Sequence, residues 1–373
     1  MKLYLIAGEA SGDLHGANLI KALRKQAPET DFRAWGGDLM SEAGADVVKH
    51  YRDLAFMGFI EVLLNLRTIF GNLRFCKNDI AQYKPDAVVL IDYPGFNLRI
   101  ATWCREQGIP VLYYISPQIW AWKEGRIKRI KCDVTNMFVI LPFEKDFYAN
   151  HGMDVDFVGH PLLDVIGSSA QAKKEKSTRP RIALLPGSRK QEIKTMLPVM
   201  LEVIQQRGDC DFVIAGAPGQ TAEFYHEVTG RTDLPLVFGR TYALFGECDA
   251  ALVTSGTATL EAALHGIPLA VCYKGSAVSY AIAKRIVNIR FISLVNLILD
   301  REAVTELIQR NMNPERLAHE LEQILCDEQK RQSQFAAFAE LREMLGGAGA
   351  SERAAAGMLK TLRTVQRDRT VAR

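Results

Sequence analysis

Short apolar runs alternate with amphipathic stretches along the chain. Ten of the runs have the length and apolar content of buried strands: KLYLIAG, DAVVLIDY, PVLYYIS, MFVILP, VDFVGHP, RIALLPG, CDFVIAG, PLVFG, AALVTSG and PLAVCYK. Between them lie segments with apolar residues at helical spacing, such as GANLIKALRKQAP and TLEAALHG. This alternation predicts an α/β fold whose parallel sheets are covered by helices on both faces.

The pattern is interrupted once, near the middle of a chain of 373 residues that is too long for one ordinary core. The interruption is the Ser-rich, charged stretch GSSAQAKKEKSTRP, which predicts a linker at 168–180. We therefore expect two Rossmann-like, doubly wound domains, at 1–167 and 181–335, which face a central cleft where the ligands bind. After about residue 300 the pattern predicts no strand, and helices with a basic tail are expected over 336–373.

Composition indicates a globular protein, with 48% hydrophobic and 24% charged residues. The net charge of +3 gives no general case for nucleic-acid binding. The seven cysteines are scattered singly, which predicts reduced core residues in a cytosolic protein. The start MKLYLIAGEASGD is unlike a signal peptide, and no apolar run has the ~20 residues of a membrane span. We expect a cytoplasmic protein, either soluble or peripheral to a membrane.

Two strand-to-helix junctions in the second half predict an anion site. Free backbone N–H groups and the positive end of a helix meet an anion at such junctions, and an arginine in the first one favours a phosphate. A carboxylate early in the second helix can accept ribose hydroxyls. The candidate residues are Gly187, Ser188 and Arg189 in LLPGSRKQEI, and Ser255, Gly256, Thr257 and Glu261 in TSGTATLEAAL.

Each of these turns taken alone is more typical of an ordinary helix cap, but two in one domain favour nucleotide binding. Neither turn matches GxxxxGK[ST], so ATPase chemistry is not indicated. The first-half stretch GEASGDLHG does not match GxGxxG, which weakens the case for a nicotinamide cofactor. The Asp pair of DVD at 154–156 leads into an alternating strand, and we favour a structural role over a metal site.

Three strands of the first half end in unusual sequence. Asp92 follows the very apolar strand of VVLIDYPGFN and is the best candidate for a general base, although a turn or cap role is about as compatible with its position. The other two strand ends supply the candidate acceptor-side residues. These are Glu9, Ser11 and Asp13 in IAGEASGD, and Trp120, Trp122 and Lys123 in the basic stretch YISPQIWAWKEGRIKRIK, where the tryptophans are either core or interfacial residues.

The stretch MGFIEVLLNLRTIFGNLRFCK, residues 57–77, predicts a broadly apolar helix. Such a helix is either buried or lies on a membrane surface with its basic residues toward the lipid headgroups. A buried helix is the commoner case, but the basic aromatic stretch at 120–131 in the same domain supports the membrane-surface position almost as well. The candidate membrane contacts are Phe59, Leu63, Leu66 and Phe70.

Nine segments occur in the same order as in the lipid-A-disaccharide synthase family. They are IAGEASGD, MGFIEVL, DYPGFN, YISPQIWAW, LPFEKDFY, FVGHPLLD, LLPGSRKQEI, TSGTATLEAAL and FISLVNLI. The chain resembles this family over roughly residues 1–340. The resemblance implies a GT-B glycosyltransferase without metal or cofactor, which acts as a peripheral protein on the cytoplasmic face of the inner membrane. It leaves open whether the protein forms a homodimer.

The family joins UDP-2,3-diacylglucosamine to 2,3-diacylglucosamine 1-phosphate (lipid X) and releases UDP and an acylated disaccharide 1-phosphate. The match implies that Asp92 is the base. It implies that the first junction lies at the UDP phosphates, and that the second junction, with Glu261, lies at the nucleoside and phosphate. It also places Asn296 of SLVNLI on the donor side. Many members have a second acid in the motif Asp-x-Pro-Asp-Phe-Asn where this chain has Gly95, so any role of that second carboxylate is missing here.

Two other functions fit the residues. One is another UDP-sugar enzyme of the same fold, such as a UDP-N-acetylglucosamine 2-epimerase, which would have no use for a membrane-facing helix. The other is a non-catalytic protein that binds a nucleotide sugar or a lipid.

Overall fold

The structure is a computed structural model, and it describes residues 1–54, 66–122, 124–166, 178–276, 280 and 289–371. The chain forms two compact units. Unit 1 consists of Met1–Asp164 and Leu345–Arg373, and unit 2 is Val165–Met344. Each unit contains one sheet whose paired strands are all parallel, with helices in the connections.

Unit 1 has a sheet of seven strands in the order β3-β2-β1-β4-β5-β6-β7. The strands are β1 Lys2–Ala7, β2 Asp31–Gly36, β3 Asp46–His50, β4 Ala87–Ile91, β5 Val111–Tyr114, β6 Asn136–Val139 and β7 Asp156–Phe157. The helices up to the unit boundary are α1 Ala10–Gln26, α2 Asp38–Glu42, α3 Leu66–Tyr83, α4 Pro94–Glu106, α5 Ile127–Asp133, α6 Pro142–Asn150 and α7 Leu162–Ile166.

Unit 2 has a sheet of six strands in the order β10-β9-β8-β11-β12-β13. The strands are β8 Arg181–Leu185, β9 Asp211–Gly216, β10 Leu236–Phe238, β11 Ala250–Thr254, β12 Leu269–Tyr273 and β13 Glu306–Ile308. Its described helices are α8 Lys190–Gln206, α9 Ala222–Thr229, α10 Thr241–Glu247, α11 Thr257–Leu264, α12 Leu294–Leu299, α13 Pro314–Cys326 and α14 Glu328–Met344.

Strand order reverses between β1 and β4 in unit 1 and between β8 and β11 in unit 2. In doubly wound sheets, ligands bind outside the carboxyl ends of the strands at this reversal, because the two connecting helices depart to opposite faces there. The strands are apolar enough to be covered on both sides; all five residues of β4, AVVLI, are buried. The topology therefore directs attention to the residues that follow β1, β4, β8 and β11.

The last helix, α15 Ala350–Val371, belongs to unit 1. The carboxylate of Asp164 accepts hydrogen bonds from the backbone amides of Gly349 (2.6 Å), Ala350 (3.0 Å) and Ser351 (2.8 Å). It thereby satisfies free N–H groups at the start of α15. His160, four residues earlier, donates its backbone amide to the Leu345 carbonyl at 3.0 Å, and burial lowers the pKa of its imidazole to about 3. The segment GHPLLD thus attaches the C-terminal helix to unit 1.

The ten predicted strands and the helices predicted for GANLIKALRKQAP and TLEAALHG are confirmed, but the sequence prediction was wrong about the region beyond residue 300. Strand β13 forms there and pairs with β12. It was missed because it has three residues, one of them charged, and lies at the edge of the sheet. Five of the seven cysteines are buried as expected, whereas Cys132 and Cys326 are exposed. No helix within the described residues is both long and apolar enough to cross a bilayer.

Candidate active site

Asp92 directly follows β4 at the strand reversal of unit 1, and its side chain is half-buried. Asp92 and Tyr93 both have left-handed backbone, with φ of +43° and +49°. Such a conformation is strained for residues other than glycine, and it persists only where surrounding contacts enforce it. Here the Asp92 carbonyl accepts hydrogen bonds from the Asn97 amide nitrogen and from the Tyr113 hydroxyl, both at 2.7 Å.

The environment of Asp92 raises the pKa of its carboxyl to about 6. Burial is the main cause, the negative charge of Glu9 adds to it, and the backbone amide of Tyr93 opposes it. A carboxyl with a pKa in this range is ionised at neutral pH and still has appreciable proton affinity, which are the properties of a general base. The strand reversal therefore places Glu9 close enough to Asp92 for its charge to raise the pKa of the Asp92 carboxyl.

The candidate residues after β1 lie in two different environments, one exposed and one buried. Glu9 and Ser11 are exposed at the start of α1. Asp13 is 3% exposed, and its carboxylate accepts hydrogen bonds from the backbone amides of Gly37 (2.7 Å), Leu39 (3.1 Å) and Met40 (3.1 Å) at the start of α2. The structure thus commits the Asp13 carboxylate to capping α2.

The tryptophan segment follows β5 and is tied to helix α6. Trp120 donates its indole N–H to Glu144 at 3.2 Å and packs edge-on against Phe143 at 4.9 Å. Glu144 is buried, which raises the pKa of its carboxyl to about 7. Trp122 is 44% exposed. Lys123 lies outside the described residues.

In unit 2, the turn after β8 presents backbone amides at the start of α8. The Glu192 carboxylate accepts hydrogen bonds from the amides of Ser188 (3.2 Å) and Arg189 (3.3 Å), and it pairs with the Arg189 guanidinium at 3.2 Å. Gly187 has φ +113°, and a Cβ there would lie 2.8 Å from the Glu192 side chain. Ser188 and Arg189 are exposed. Glu192 therefore occupies the donor groups that an incoming phosphate would use.

The second turn, after β11, lies beside the first because β8 and β11 are paired. Gly256 has φ +154°, which side chains rarely adopt, and Thr257 begins α11. The Ser255 hydroxyl donates to the Ile292 carbonyl at 2.9 Å. The two junctions predicted from the sequence thus lie side by side at the strand reversal of unit 2.

Glu261 lies one turn into α11 and is half-buried. It accepts a hydrogen bond from the Tyr242 hydroxyl at 2.9 Å, and burial raises the pKa of its carboxyl. The Tyr242 ring stacks on His265 with 4.7 Å between the ring centroids. Tyr242 orients the carboxylate, which retains further acceptor positions for a hydroxylated ligand.

Asn296 differs from its expected role on the donor side. Its side chain is fully buried. It donates to the Val304 carbonyl (2.8 Å) and to Glu306 (3.0 Å), and it accepts from the amides of Ala303 and Val304. Glu306 in turn accepts from the amide of Ile292, whose carbonyl holds Ser255. The structure leaves Asn296 no surface for a ligand and places it in the network behind the second turn.

Only part of the predicted membrane-facing stretch is described. Phe59, Leu63 and the side chain of Leu66 lie outside the described residues. On α3, Leu73, Cys76 and Ile80 pack into the core, whereas Phe70 is 63% exposed. Phe70 borders a groove of about 600 Å³ between α3 and α4. The groove is also lined by four basic residues, Arg74, Lys77, Arg99 and Arg129.

Sequence reasoning missed the side chains that hold the candidate residues in place. Tyr113, Asn97, Glu192 and Tyr242 contact Asp92, Arg189 or Glu261 through the hydrogen bonds described above. Asn97 lies in the quoted motif DYPGFN and Glu192 in LLPGSRKQEI, so the sequence contained a signal for these two. Tyr113 and Tyr242 come from separate segments without any such motif.

Similarity to solved structures agrees with this architecture. A UDP-GlcNAc 2-epimerase from Neisseria meningitidis bound to UDP-GlcNAc aligns with a TM-score of 0.67 at 14% identity, covering 96% of this chain and 100% of that one. The glycotransferase of kitacinnamycin aligns with a TM-score of 0.67 at 14% identity, covering 97% and 99%. The two parallel-sheet units thus define a protein of the GT-B fold class.

Sequence comparison specifies the family. The family model for lipid-A-disaccharide synthetase matches residues 3–357. A lipid-A-disaccharide synthase from Syntrophus aciditrophicus (strain SB) is 43% identical over 366 residues, which cover 94% of this chain and 95% of that protein. The chain belongs to the lipid-A-disaccharide synthase family, and it is a glycosyltransferase of lipid A biosynthesis.

Proposed function

We propose that the protein transfers the diacylglucosaminyl group of UDP-2,3-diacylglucosamine to lipid X in a single inverting displacement. The 6-hydroxyl oxygen of the acceptor forms a bond to the anomeric carbon of the donor. The bond from that carbon to the UDP oxygen breaks, and UDP leaves with the electron pair. The products are UDP and the acylated disaccharide 1-phosphate. Family membership supports the reaction class. The observation that supports the mechanism is the position of Asp92 directly after β4, where burial raises the pKa of its carboxyl.

Asp92 takes the proton of the attacking hydroxyl. Its position after β4 fixes the carboxylate at the strand reversal, and its pKa of about 6 leaves it ionised at neutral pH. Because Gly95 replaces the second acid found in many family members, no other carboxylate in the motif DYPGFN shares this role.

Arg189 and the two junctions of unit 2 stabilise the negative charge that develops on UDP. Backbone N–H groups at a helix start and a guanidinium are suited to a diphosphate, and they are already oriented before the reaction. Binding of the diphosphate replaces the Glu192 carboxylate on the amides of Ser188 and Arg189. Glu261, oriented by Tyr242, accepts the ribose hydroxyls.

The protein docks on the cytoplasmic leaflet of the inner membrane, where both acylated substrates reside. The exposed Phe70 and the basic groove beside it support this docking, because an apolar side chain flanked by basic residues suits the boundary between acyl chains and anionic headgroups. The stretch MGFIEVLLNL, which precedes Phe70 in the sequence, is also largely apolar.

A turnover assay tests the reaction. Purified protein is incubated with UDP-2,3-diacylglucosamine and lipid X in mixed micelles, and the products are followed by mass spectrometry with and without EDTA. We expect UDP and the disaccharide 1-phosphate in equal amounts at a rate that EDTA does not change. UDP release without disaccharide would indicate another acceptor, and formation of the 2-epimer of a UDP-sugar would indicate an epimerase.

We predict weaker membrane binding when basic residues of the groove between α3 and α4 are replaced by neutral ones. The double variant Arg74→Gln/Lys77→Gln loses two basic residues of the groove. Each basic residue near an anionic surface contributes about 1 kcal/mol, so the affinity for vesicles should fall roughly thirtyfold. Flotation with vesicles containing phosphatidylglycerol measures this effect.

Arg363→Gln/Arg367→Gln is the matched control for this experiment, because both arginines are exposed but lie on α15. It should bind the vesicles like the unmodified protein. Equal binding by the groove variant and the control, or equal binding to neutral phosphatidylcholine vesicles, would contradict docking through this groove.

A further inference from the structure

The conformation of Asp92 is held by side chains that take no part in the proposed chemistry. Asp92 and Tyr93 are consecutive residues in left-handed backbone, although neither is a glycine. The next element, α4, starts at Pro94, whose fixed φ suits a first helical position. The chain must therefore turn sharply between the end of β4 and α4, and the strain of this turn has to be offset by its surroundings.

Three contacts hold the turn. The Asp92 carbonyl accepts one hydrogen bond from the Tyr113 hydroxyl and one from the Asn97 amide nitrogen, both at 2.7 Å. The ring of Tyr93 packs over Gly8, where a Cβ would lie 2.4 Å from the ring. The turn is therefore fixed from β5, from α4 and from the loop after β1.

Asn97 is fully buried at the strand reversal itself. Its amide nitrogen also lies 3.2 Å from the Ile91 carbonyl and 3.5 Å from the Ile6 carbonyl, at the ends of β4 and β1. Tyr113 is fully buried in β5, and its hydroxyl donates to the same carbonyl of Asp92. These two side chains fix the peptide that carries the carboxylate, while no described side chain donates a hydrogen bond to the carboxylate itself.

We propose that Tyr113 and Asn97 are positioning residues that keep the Asp92 carboxylate aimed at the acceptor hydroxyl by clamping the Asp92 carbonyl. The inference rests on the proposed role of Asp92 as the base. Without the clamp, the peptide between Asp92 and Tyr93 relaxes to an unstrained conformation and the carboxylate turns away. Misplacement of a catalytic group by about 1 Å lowers the rate by roughly a hundredfold.

The clamp also maintains the environment of the carboxyl. The ionisable groups that interact with the charge of Asp92 are Glu9, from the loop after β1, and Tyr113 of β5. Burial and Glu9 raise the pKa of Asp92. A carboxylate released toward solvent would lose both effects, so its pKa would fall toward the ordinary value for an aspartate.

The test is Tyr113→Phe, which removes one hydroxyl and keeps the ring. Tyr114→Phe is the matched control, because Tyr114 is the next residue of β5, is equally buried and points to the opposite face of the sheet. Disaccharide formation is measured from pH 4.5 to 9 for both variants. For Tyr113→Phe we expect kcat to fall about ten- to a hundredfold, with KM within threefold of the unmodified protein. We also expect the acid limb of the pH profile, which is the fall of kcat at low pH, to move to lower pH in this variant.

Two further measurements separate this inference from the proposed role of Asp92. If Tyr113 acts through Asp92, then Tyr113→Phe should lower kcat less than threefold when Asp92→Asn is already present. Asn97→Ala should show the same displacement of the acid limb as Tyr113→Phe. A Tyr113→Phe variant with unchanged kcat and acid limb, or an equal loss in Tyr114→Phe, would overturn the clamp even if Asp92→Asn is inactive. If Asp92→Asn retains full activity, the base assignment itself fails.

Discussion

Replacing Asp92 with Asn is expected to lower kcat by about 10²- to 10⁴-fold, the usual contribution of a general base. The amide has nearly the same shape as the carboxylate, so the strained turn after β4 should persist, but it cannot take the proton of the attacking hydroxyl. Substrate binding does not require that proton transfer, and KM should therefore change little. Steady-state turnover of both lipid substrates in mixed micelles measures the effect.

The same residue predicts the pH dependence. Below its pKa of about 6 the Asp92 carboxyl is protonated and cannot act as a base. The rate of the unmodified protein should therefore fall tenfold for each pH unit below about 6 and should level off above it. An acid limb near the ordinary value for an aspartate would show that the carboxyl is not held in the buried environment seen here.

Asp86→Asn is the control for Asp92→Asn. Asp86 immediately precedes β4, so it lies at the opposite end of the same strand, and it is exposed. Its side chain accepts a hydrogen bond from the Lys2 amide at 2.7 Å. The variant should keep kcat within threefold. Comparable activity of Asp92→Asn and Asp86→Asn would refute the assignment of Asp92 as the base.

Arg189→Ala is expected to lower kcat/KM by about 10²- to 10³-fold, because it removes the guanidinium that donates hydrogen bonds to the departing UDP. The arginine is exposed at the turn after β8 and pairs only with Glu192 among the described residues, so its loss should not unfold unit 2. Arg189→Lys keeps the charge but loses the fork of donors, and it should recover only part of the activity. UDP binding by calorimetry and turnover measure the two effects.

Arg231→Ala is the matched control in unit 2, since Arg231 is an exposed arginine that pairs with Asp233 at 2.5 Å. It should leave both UDP affinity and turnover unchanged. A loss confined to UDP affinity, with kcat intact, would show that Arg189 binds the ground state and does not stabilise the departing charge. Unchanged values for Arg189→Ala in both measurements would exclude it from the phosphate site.

The candidate site could be found largely from local sequence. Asp92, Arg189 and Ser255 were identified because each follows a short apolar strand and precedes a helix, and Gly and Pro mark the turns. Strand order then explains why these motifs matter: β1 with β4, and β8 with β11, are the pairs at which the sheets reverse. The individual motifs were visible in the sequence, but their pairing was not.

Roles that depend on distant partners could not be predicted. Asp13 was predicted to be an acceptor-side residue, yet its carboxylate caps α2 through the amide of Gly37, which lies 24 residues further along the chain. Asn296 lies in a family motif, yet its side chain is fully used by the loop before β13. In both cases the side chain is committed by backbone groups that the fold brings to it, which no local pattern encodes.

The sequence by itself determined the α/β class, the ten strands of the predicted pattern and the strand-end motifs, because burial period and turn chemistry are properties of neighbouring residues. Only the tertiary structure decided which of those motifs share a sheet reversal and which side chains support them. Tyr113 reaches the Asp92 carbonyl across 21 residues of sequence, and Tyr242 reaches Glu261 across 19. Contacts at such separations depend on strand order and register, which are set by the packing of the whole sheet.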